Sequence, residues 1–287
     1  MAKLLTGKEV VAAMRDDLAA RAEALRARGM TPTLACVRMG ERPDDLSYER
    51  SATKRAEGLG VAVRSFVLPA DAPESELAGV IRAVNEDDSI HGCLMFRPLP
   101  SHVDEARVCD MLAPEKDIDG ISRASLAGVF TGSGHGFPPA TAQACLETLD
   151  HYGISVEGKH VVVVGRSLVI GRPVAMMLLA RNASVTICHS RTEDLPELMR
   201  LADVVVCATG RARAFGASCF REGQVVLDVG INFDAAGNLC GDVDFDTACA
   251  ALGETGFITP VPHGLGGVTT SVTMAHVVRA AEERVAG

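Results

Sequence analysis

Residues 159–190 read KHVVVVGRSLVIGRPVAMMLLARNASVTICHS, in which two β-branched runs enclose a glycine-containing turn and an apolar segment. Residues 161–164 show no polar alternation, as in a strand that is buried on both faces of a parallel sheet. Pro173 suits the first turn of a helix over 174–179, and residues 185–187 supply the second strand. The stretch therefore predicts a strand–helix–strand unit of the kind that binds nucleotides.

Glycines punctuate the turn between the first strand and the helix. Gly165 and Gly171 flank Ser167 in a G-x-S-x-x-x-G pattern, a variant of the dinucleotide-binding G-x-G-x-x-G. A glycine turn lets the backbone approach a diphosphate, and a helix N-terminus adds unpaired N–H groups and the positive end of its dipole. The pattern alone also fits an ordinary strand-to-helix turn, so its surroundings must decide between the two interpretations.

The end of the second strand favours NADP over NAD. An NAD site carries an acidic residue there for the ribose 2′-hydroxyl, whereas this chain has CHSRT at 188–192 and no carboxylate before Glu193. Arg166 in the turn, together with Ser190 and Arg191, forms a set that is able to bind a 2′-phosphate. A solvated polar strand end is the alternative interpretation of the same residues.

Composition narrows the class of protein. The 287 residues are 47% hydrophobic, which is enough for one large or two ordinary domains with packed cores. A formal net charge of −9 argues against a nucleic-acid partner or an anionic membrane surface. The 9 cysteines are scattered without a CxxC pair, so we predict neither disulfides nor a metal site. No apolar run reaches the ~18 residues that span a bilayer, and the first residues lack a signal-peptide core, which predicts a cytoplasmic protein without a membrane partner.

The first half of the chain also alternates helix and strand patterns, which predicts an α/β architecture throughout. The predicted helices cover residues 10–28, 44–59 and 75–85, and the predicted strands cover residues 33–39, 61–68 and 91–96. The Gly/Pro-rich segment 131–139 predicts a linker, after which a helix over 141–152 leads to the nucleotide unit.

Residues 202–209 and 225–231 are typical of further buried strands in the second half. Because parallel sheets bind ligands at the carboxyl ends of their strands, residues at the ends of these two are predicted near the cofactor. They are Thr209, Gly210, Gly230 and Asn232. A last predicted helix, over residues 273–284, is expected to return to the first domain.

Short motifs are spread in order along the whole chain. They are Ser47-Tyr48, Arg97-Pro-Leu-Pro100, Lys116-Asp-Ile-Asp-Gly120, Gly165-Arg-Ser, Ile170-Gly-Arg-Pro173, Cys188-His-Ser, Asp228-Val-Gly-Ile231, Gly241-Asp-Val243 and Thr259-Pro-Val-Pro262. In this set the chain resembles the bifunctional methylenetetrahydrofolate dehydrogenase/methenyltetrahydrofolate cyclohydrolase family. The resemblance implies two α/β domains with a folate cleft between them, the C-terminal one a Rossmann-like NAD(P)-binding domain. It also implies NADP as cofactor, a tetrahydrofolate derivative as substrate and a homodimer.

The resemblance assigns roles to particular residues. We expect residues 1–138 with 273–287 to form the folate-binding catalytic domain, and residues 139–272 to form the Rossmann-like NADP-binding domain. It implies ring stacking by Tyr48 and pterin binding by Asp119. We group Tyr48, Asp119 and Arg97 as candidate catalytic residues. The expected substrate-binding residues are Tyr48, Pro98, Leu99, Pro100, Asp119, Pro262, His263 and Gly264. The expected cofactor-binding residues are Gly165, Arg166, Ser167, Ile170, Gly171, His189, Ser190, Arg191, Thr209, Gly210, Gly230, Ile231 and Asn232.

Several positions depart from the family pattern. The lysine expected one helical turn after Tyr48 is Ala52, and the glutamine expected at the strand end is Phe96. Lys54 follows Tyr48 by six positions and therefore points to another face of the helix. We predict a dehydrogenase with weak or absent cyclohydrolase activity. Further departures, which concern the shape of the folate pocket, are Ala140 and Ala142 in place of Cys and Pro, His263 in place of Gly, and Gly267-Val268 in place of Pro-Met.

Alternative functions stay open at this point. A rebuilt bifunctional site would draw on Arg97, Lys54, Arg50 or His263 for a cation or a titratable group. A folate-binding relative without turnover, or a dehydrogenase for a different carbon donor, would also fit the departures.

Several of the candidate residues also have structural interpretations. Lys54 and Arg50 fit a solvated helix surface, Tyr48 fits core packing, and Arg97 fits contact with the substrate's glutamate tail, with Asp119 or with the domain edge. Asp119 fits a turn cap, although Asp117 is better suited to that role.

Overall fold

The computed structural model describes residues 1–286, in which the chain folds as two compact units. One unit contains Met1–Ala12 and Thr141–Thr269 and is called here the six-stranded unit. The other contains Ala13–Ala140 and residues 270–286 and is called the three-stranded unit. Both are built on parallel sheets with helical crossovers, so the predicted α/β class is confirmed.

The strands and helices alternate along nearly the whole chain. The strands are β1 (Lys3–Leu4), β2 (Thr33–Met39), β3 (Ala62–Leu68), β4 (Gly92–Met95), β5 (His160–Val164), β6 (Ser184–Cys188), β7 (Val204–Cys207), β8 (Val225–Asp228), β9 (Asn232–Phe233), β10 (Leu239–Cys240) and β11 (Phe257–Ile258). The helices are α1 (Gly7–Ala27), α2 (Pro43–Leu59), α3 (Glu74–Glu86), α4 (Glu105–Cys109), α5 (Arg123–Thr131), α6 (Ala140–His151), α7 (Gly171–Leu179), α8 (Leu195–Leu201), α9 (Phe245–Leu252) and α10 (Leu265–Ala286). Short 3-10 turns cover Pro114–Lys116 and Ala217–Cys219.

The six-stranded unit contains the predicted nucleotide-binding topology. Its sheet has the order β1-β11-β8-β7-β5-β6, with every neighbouring pair parallel. The valines of β5 are fully or almost fully buried, as the absence of polar alternation predicted. A separate two-stranded antiparallel ribbon, β9 with β10, follows β8.

The three-stranded unit has a parallel sheet of order β3-β2-β4 with an apolar cluster on each face. Successive residues of β2 alternate between the two clusters, because side chains of a strand point to opposite faces in turn. Leu94 and Phe96 share the face that packs against α2 and α10, whereas Cys93 and Met95 lie on the other face. This alternation determines which side chains at the end of β4 are buried.

The last helix and the first strand are two of the elements that differ from the sequence-based prediction. The last helix was predicted over 273–284 but begins at Leu265. The prediction was wrong because the glycines of 264–267 resemble a turn, whereas Gly266 and Gly267 lie inside the helix. The two-residue β1 was too short for a hydrophobic pattern, and it pairs with β11. The domain boundaries proposed from the sequence stay a prediction. In the structure α10 passes through residue 273 without interruption.

Among residues 1–286, no helix combines the length and the apolar character that a bilayer crossing requires.

Candidate active site

The turn after β5 requires glycine at two positions. A Cβ on Gly165 would lie 2.2 Å from the Ala208 carbonyl oxygen, and one on Gly171 would lie 2.2 Å from the Gly165 carbonyl oxygen. Gly165 also has φ 138°, a backbone conformation that side chains disfavour. The Ser167 hydroxyl accepts a hydrogen bond from the Ile170 N–H at 3.1 Å, directly before α7 begins. The turn is therefore a tightly packed link between strand and helix, and its residues 166–169 are exposed.

The ends of β5 and β6 lie side by side. Val164 pairs with Cys188 in register, and the Gly165 N–H donates to the Cys188 carbonyl at 2.9 Å. The structure thus brings together the two predicted parts of the cofactor site, the turn that contains Arg166 and the strand end that contains Ser190.

The segment after β6 is a compact turn. The His189 N–H donates to the Thr192 hydroxyl at 2.9 Å, and the Arg191 N–H donates to the His189 Nδ1 at 3.2 Å. These bonds leave the side chains of Ser190 and Arg191 exposed. Within residues 1–286, neither Arg166 nor Arg191 forms an ion pair within 4.0 Å. Both guanidinium groups are available to an anionic ligand.

A buried carboxylate, Asp242, fixes the loop after β7. Its Oδ2 accepts from the Thr209 hydroxyl at 2.9 Å and from the Gly210 N–H at 3.2 Å. Its Oδ1 accepts from the Arg211 N–H and from the Asn232 side-chain amide, both at 2.9 Å. Asp242 therefore connects the predicted cofactor residues Thr209, Gly210 and Asn232, which follow two neighbouring strands.

A second carboxylate, Asp228, orders the segment in which Asp242 lies. It accepts hydrogen bonds from the N–H groups of Gly230, Asp242 and Val243 at 3.0, 2.9 and 3.0 Å. Burial raises the pKa of Asp228 to about 6, and the three backbone N–H donors limit the rise. A Cβ on Gly230 would lie 2.2 Å from Asp242 Oδ1, so this predicted cofactor residue is needed for packing. Ile231 is 66% exposed beside it.

Sequence reasoning missed both carboxylates as organisers of the site. The motifs Asp228-Val-Gly-Ile231 and Gly241-Asp-Val243 were recognised without a role. The available signals were an aspartate at the end of a buried strand, Asp228, and an aspartate beside a glycine, Asp242, since buried carboxylates often bind backbone N–H groups.

Tyr48 lies on α2 in the three-stranded unit and is partly buried against an apolar cluster. Burial, with the nearby charge of Asp119, raises the pKa of its phenol to about 12, and hydrogen bonds with Thr273 and Thr270 moderate the rise. The phenol therefore stays protonated at neutral pH, with its hydroxyl held by two threonines of α10. This arrangement leaves the ring in a fixed position, as stacking on a ligand requires.

The turn over residues 116–120 contains two structural residues and one available carboxylate. The residue Lys116 is 3% exposed. Its ammonium lies at the C-terminal end of α3, where it donates to the carbonyls of Val84, Asn85 and Asp87 at 2.7, 3.0 and 2.8 Å. Asp117 is fully buried and accepts from the N–H groups of residues 121 and 122, so it is the turn cap, as its position suggested.

Asp119 is the remaining carboxylate of that turn and is only partly buried. Its pKa is raised to about 6, chiefly because the charged form is desolvated. The positive charge of Arg97 and the N–H of Ala140 oppose this rise, whereas Asp117 adds to it. A carboxyl group in this state is able to accept hydrogen bonds from a ligand or to exchange a proton near neutral pH.

The segment that follows β4 is held from two sides. Glu105 Oε2 accepts a hydrogen bond from the Leu99 N–H at 2.8 Å, and Arg42 Nη1 donates to the Pro98 carbonyl at 2.8 Å. Glu105 Oε1 lies 3.6 Å from Arg97 Nη1, and the Arg97 side chain is 22% exposed. The predicted substrate residues Pro98, Leu99 and Pro100 therefore belong to an ordered segment.

Ala52 and Phe96 belong to the same apolar cluster as Tyr48. Ala52 is fully buried, and Phe96 is 5% exposed with its ring edge-on to Tyr48. Lys54 and Arg50 are exposed on α2, which agrees with a solvated surface and not with a replacement for the family lysine.

The turn over residues 262–264 lies in the six-stranded unit, where Gly264 packs on the first residue of α1. His263 is exposed and adopts φ 80°, the left-handed region that favours glycine. The glycine that the resemblance expects at this position therefore has a conformational reason. Pro262 is exposed, and a Cβ on Gly264 would lie 2.4 Å from the Pro260 carbonyl oxygen.

Comparison with known proteins agrees with this geometry over the whole chain. The family model for the tetrahydrofolate dehydrogenase/cyclohydrolase catalytic domain matches residues 5–119, and the model for the NAD(P)-binding domain matches residues 139–285. A "Bifunctional protein FolD" from Clostridioides difficile (strain 630) is 44% identical over 97% of this chain and 96% of its own length. The chain belongs to the tetrahydrofolate dehydrogenase/cyclohydrolase family.

Solved structures from the tetrahydrofolate dehydrogenase/cyclohydrolase family have the same fold. The bifunctional enzyme FolD from Campylobacter jejuni superposes with a TM-score of 0.95 at 33% identity, covering 99% of this chain and 100% of that one. The Trypanosoma brucei FolD, solved with NADP and an inhibitor, has a TM-score of 0.92 at 31% identity, covering 100% and 99% of the two chains.

The tetrahydrofolate dehydrogenase/cyclohydrolase assignment makes this chain an oxidoreductase with an NAD(P)-binding C-terminal domain, as the resemblance predicted. Among residues 1–286, no group of three or more His, Cys, Asp and Glu side chains is placed to hold a metal ion.

Proposed function

We propose that this chain is an NADP-dependent 5,10-methylenetetrahydrofolate dehydrogenase of one-carbon metabolism whose methenyltetrahydrofolate cyclohydrolase activity is weak or lost. The observation that carries the proposal is the burial of Ala52 and Phe96 in one apolar cluster. These are the positions at which the family pattern has a lysine and a glutamine. The dehydrogenase part rests on family membership and on an intact nucleotide turn.

The residues of the six-stranded unit fit NADP. The exposed turn after β5 and the exposed Ser190 offer donors to phosphate oxygens. So do the guanidinium groups of Arg166 and Arg191, which have no acidic partner within 4.0 Å among residues 1–286. We infer that Arg166, Ser190 and Arg191 bind the 2′-phosphate, since no carboxylate precedes Glu193 at the end of β6 to bind a free ribose hydroxyl. NADP would supply the hydride acceptor, and Asp242 and Asp228 fix the loops that would hold it.

Oxidation of the methylene bridge places few chemical demands on the protein. The lone pair of a bridging nitrogen stabilises the amidinium that forms as the hydride leaves, so no protein base is needed. The protein contributes positioning of the hydride donor and acceptor, which need to be roughly 3 to 3.5 Å apart. We assign ring stacking to Tyr48, whose hydroxyl is held by two threonines, and pterin binding to Asp119, whose partly buried carboxyl has a raised pKa.

Hydrolysis of the methenyl product demands more. Water attacks the cation, and protons move from that water and between nitrogens, which is work for a positioned acid or base. Ala52 and Phe96 offer no such group. Arg97 is a nearby cation, but a guanidinium does not release its proton in proteins, so it does not replace a lysine in proton transfer.

A combined assay tests the proposal. Purified protein is supplied with methylenetetrahydrofolate and with NADP or NAD, and reduced cofactor is followed by absorbance while acid-quenched samples report the methenyl product. We expect NADP reduction with methenyl product accumulating in step, and hydrolysis of added methenyltetrahydrofolate at the spontaneous rate. Hydrolysis far above the spontaneous rate that disappears in Asp119→Ala contradicts the loss of cyclohydrolase activity.

The same preparation tests the expected assembly. We expect a cytoplasmic homodimer, with a light-scattering mass near twice that of the chain. Stoichiometric folate binding without cofactor reduction would instead identify a binding protein without turnover.

A further inference from the structure

The guanidinium group of Arg97 is incompletely satisfied. Its Nε is buried and has no hydrogen-bond partner within residues 1–286. Its Nη1 approaches Glu105 Oε1 only to 3.6 Å, which is too long for a good hydrogen bond. A buried donor without a partner costs free energy, and such groups in native structures call for an explanation. The buried Nε is out of reach of a ligand, but the side chain is 22% exposed and its Nη groups form no hydrogen bond within residues 1–286, so they are the donors that a ligand acceptor would satisfy.

Asp119 lies near Arg97 without pairing to it. The charge of Arg97 lowers the pKa of Asp119, yet within residues 1–286 no ion pair within 4.0 Å joins the two side chains. The carboxyl of Asp119 accepts a hydrogen bond from the Ala140 N–H instead. The three-stranded unit thus presents a cationic donor and a carboxylate acceptor close together, neither of them used up by the other.

The position of Arg97 is fixed by its surroundings. Glu105 holds the Leu99 N–H, and Arg42 holds the Pro98 carbonyl, so the backbone directly after Arg97 is tied at two points. Glu105 also lies beside the guanidinium itself. A side chain on such a supported segment is suited to specific recognition, because little ordering remains to be done when a ligand binds.

We propose that Arg97 selects the 4-oxo form of the pteridine ring by donating a hydrogen bond to its O4, while Asp119 accepts from the neighbouring ring N–H and 2-amino group. The inference rests on the proposed function, since it deepens the recognition of a folate at that site. A 4-oxopteridine presents one acceptor beside two donors along this edge. In a 2,4-diaminopteridine an amino group replaces O4. A hydrogen-bond donor of the ligand would then face the guanidinium, which is itself only a donor.

Calorimetric titration of three ligands tests the proposal. They are tetrahydrofolate, its 2,4-diamino analogue with the same tail, and a 4-oxotetrahydropterin without the aminobenzoylglutamate tail. In Arg97→Leu we expect the affinity for both 4-oxo ligands to fall about 10- to 100-fold, as for a lost hydrogen bond to a charged group. The diamino analogue should keep or gain affinity, because its 4-amino group loses an opposing donor, so the preference for the 4-oxo ring falls at least about tenfold. The matched control Arg82→Leu, which removes an exposed guanidinium on α3, keeps the wild-type preference.

Two results overturn the proposal. The first is a preference that changes less than about tenfold in Arg97→Leu. The second is a loss seen with tetrahydrofolate but not with the tail-less ligand, which would assign Arg97 to the carboxylates of the tail. If circular dichroism shows that Arg97→Leu does not fold, Arg97→Gln is judged by the same criteria. Failure of the wild-type protein to bind tetrahydrofolate would overturn the proposed function, whereas binding with an unchanged preference overturns only the role of Arg97.

Discussion

The ring of Phe96 meets the ring of Tyr48 edge-on, with centroids 6.0 Å apart and ring planes at 80°. Ala52 follows Tyr48 by one helical turn on α2 and is buried in the same cluster. Ala52 and Phe96 thus pack in one apolar core, at the positions where the family pattern has a lysine and a glutamine. The two departures form a single packed arrangement, so they are expected to depend on each other energetically.

Ala52→Lys should destabilise the protein by about 3 kcal/mol or more, because it places an ammonium in a fully buried apolar position. In a Phe96→Gln background the same change should cost about 1 kcal/mol less, since the amide oxygen offers a partner and the ring no longer fills the space. Denaturant unfolding of the four proteins in this cycle measures the coupling. Lys54→Ala, at an exposed position, should stay within about 0.5 kcal/mol of wild type. Additive effects would show that the two positions are independent.

Arg191→Ala and Arg166→Ala should each weaken NADP binding about tenfold or more, because each removes a charge-assisted hydrogen bond to the 2′-phosphate. Binding of NAD should change little, since NAD lacks that phosphate. Titration calorimetry with both cofactors gives the ratio directly. Arg181→Ala is the control, because Arg181 is paired with Asp150. Equal losses for NADP and NAD would count against a 2′-phosphate site.

Asp242→Ala should lower the free energy of unfolding by about 3 kcal/mol or more, since it leaves the Gly210 and Arg211 N–H groups and the Asn232 amide without their acceptor. Cofactor binding should weaken with it, because the loop after β7 loses its anchor. Thermal unfolding with and without NADP measures both effects. Asp246→Ala, on the exposed face of α9, should be nearly neutral. A stable variant with unchanged NADP affinity would remove Asp242 from the site.

Folate affinity should rise with pH through about 6, the pKa to which burial raises Asp119, because only the ionised carboxylate accepts two hydrogen bonds from the pterin edge. Asp119→Asn should flatten this profile in calorimetric titrations from about pH 5 to 8. An unchanged profile in that variant would assign the titration to another group.

The stability of the unliganded protein should show the opposite trend. The pKa of Asp119 lies at about 6 in the folded state and near 3.9 in the unfolded state, so the folded state binds more protons between these values. The contribution of Asp119 to stability is therefore present at low pH and is lost as the pH rises through about 6. Asp228 also has a raised pKa of about 6, so the comparison with Asp119→Asn is needed to isolate one group.

His263→Gly should stabilise the protein by roughly 0.5–1 kcal/mol. The left-handed conformation at φ 80° costs a side chain about 1–2 kcal/mol, and the greater entropy of glycine in the unfolded chain offsets part of the gain. Asn182→Gly, at φ 63°, is the control and should gain less, because asparagine tolerates this region. A loss of stability in His263→Gly would show that the imidazole makes a compensating contact.

The nucleotide unit could be predicted from sequence because its signals are local. The buried valines of β5, the glycines at 165 and 171 and the strand ending at Cys188 each reflect a short-range packing or backbone requirement. The start of α10 could not be predicted in this way, since Gly266 and Gly267 inside a helix resemble a turn until the rest of the fold holds them there.

The carboxylates at 228 and 242 illustrate what the sequence did not reveal. Their partners are backbone and side-chain groups up to 33 residues away, so no spacing pattern predicts the contacts. The same holds for Glu105, whose role depends on how α4 lies beside the end of β4. By contrast, the solvated helix surface predicted for Lys54 from its residue type is confirmed, and helical geometry had already placed Lys54 on another face of α2 than the position one turn after Tyr48.

Lys116 lies three residues before Asp119, and its ammonium is wholly engaged by carbonyls at the end of α3. A screen for inactive variants would nevertheless recover substitutions of Lys116, because releasing that helix end displaces the turn in which Asp119 lies. Such a screen would rank this lysine beside the residues that touch a ligand. Chemical labelling would separate the two groups, since an amine without solvent access resists acylating reagents as long as the protein stays folded.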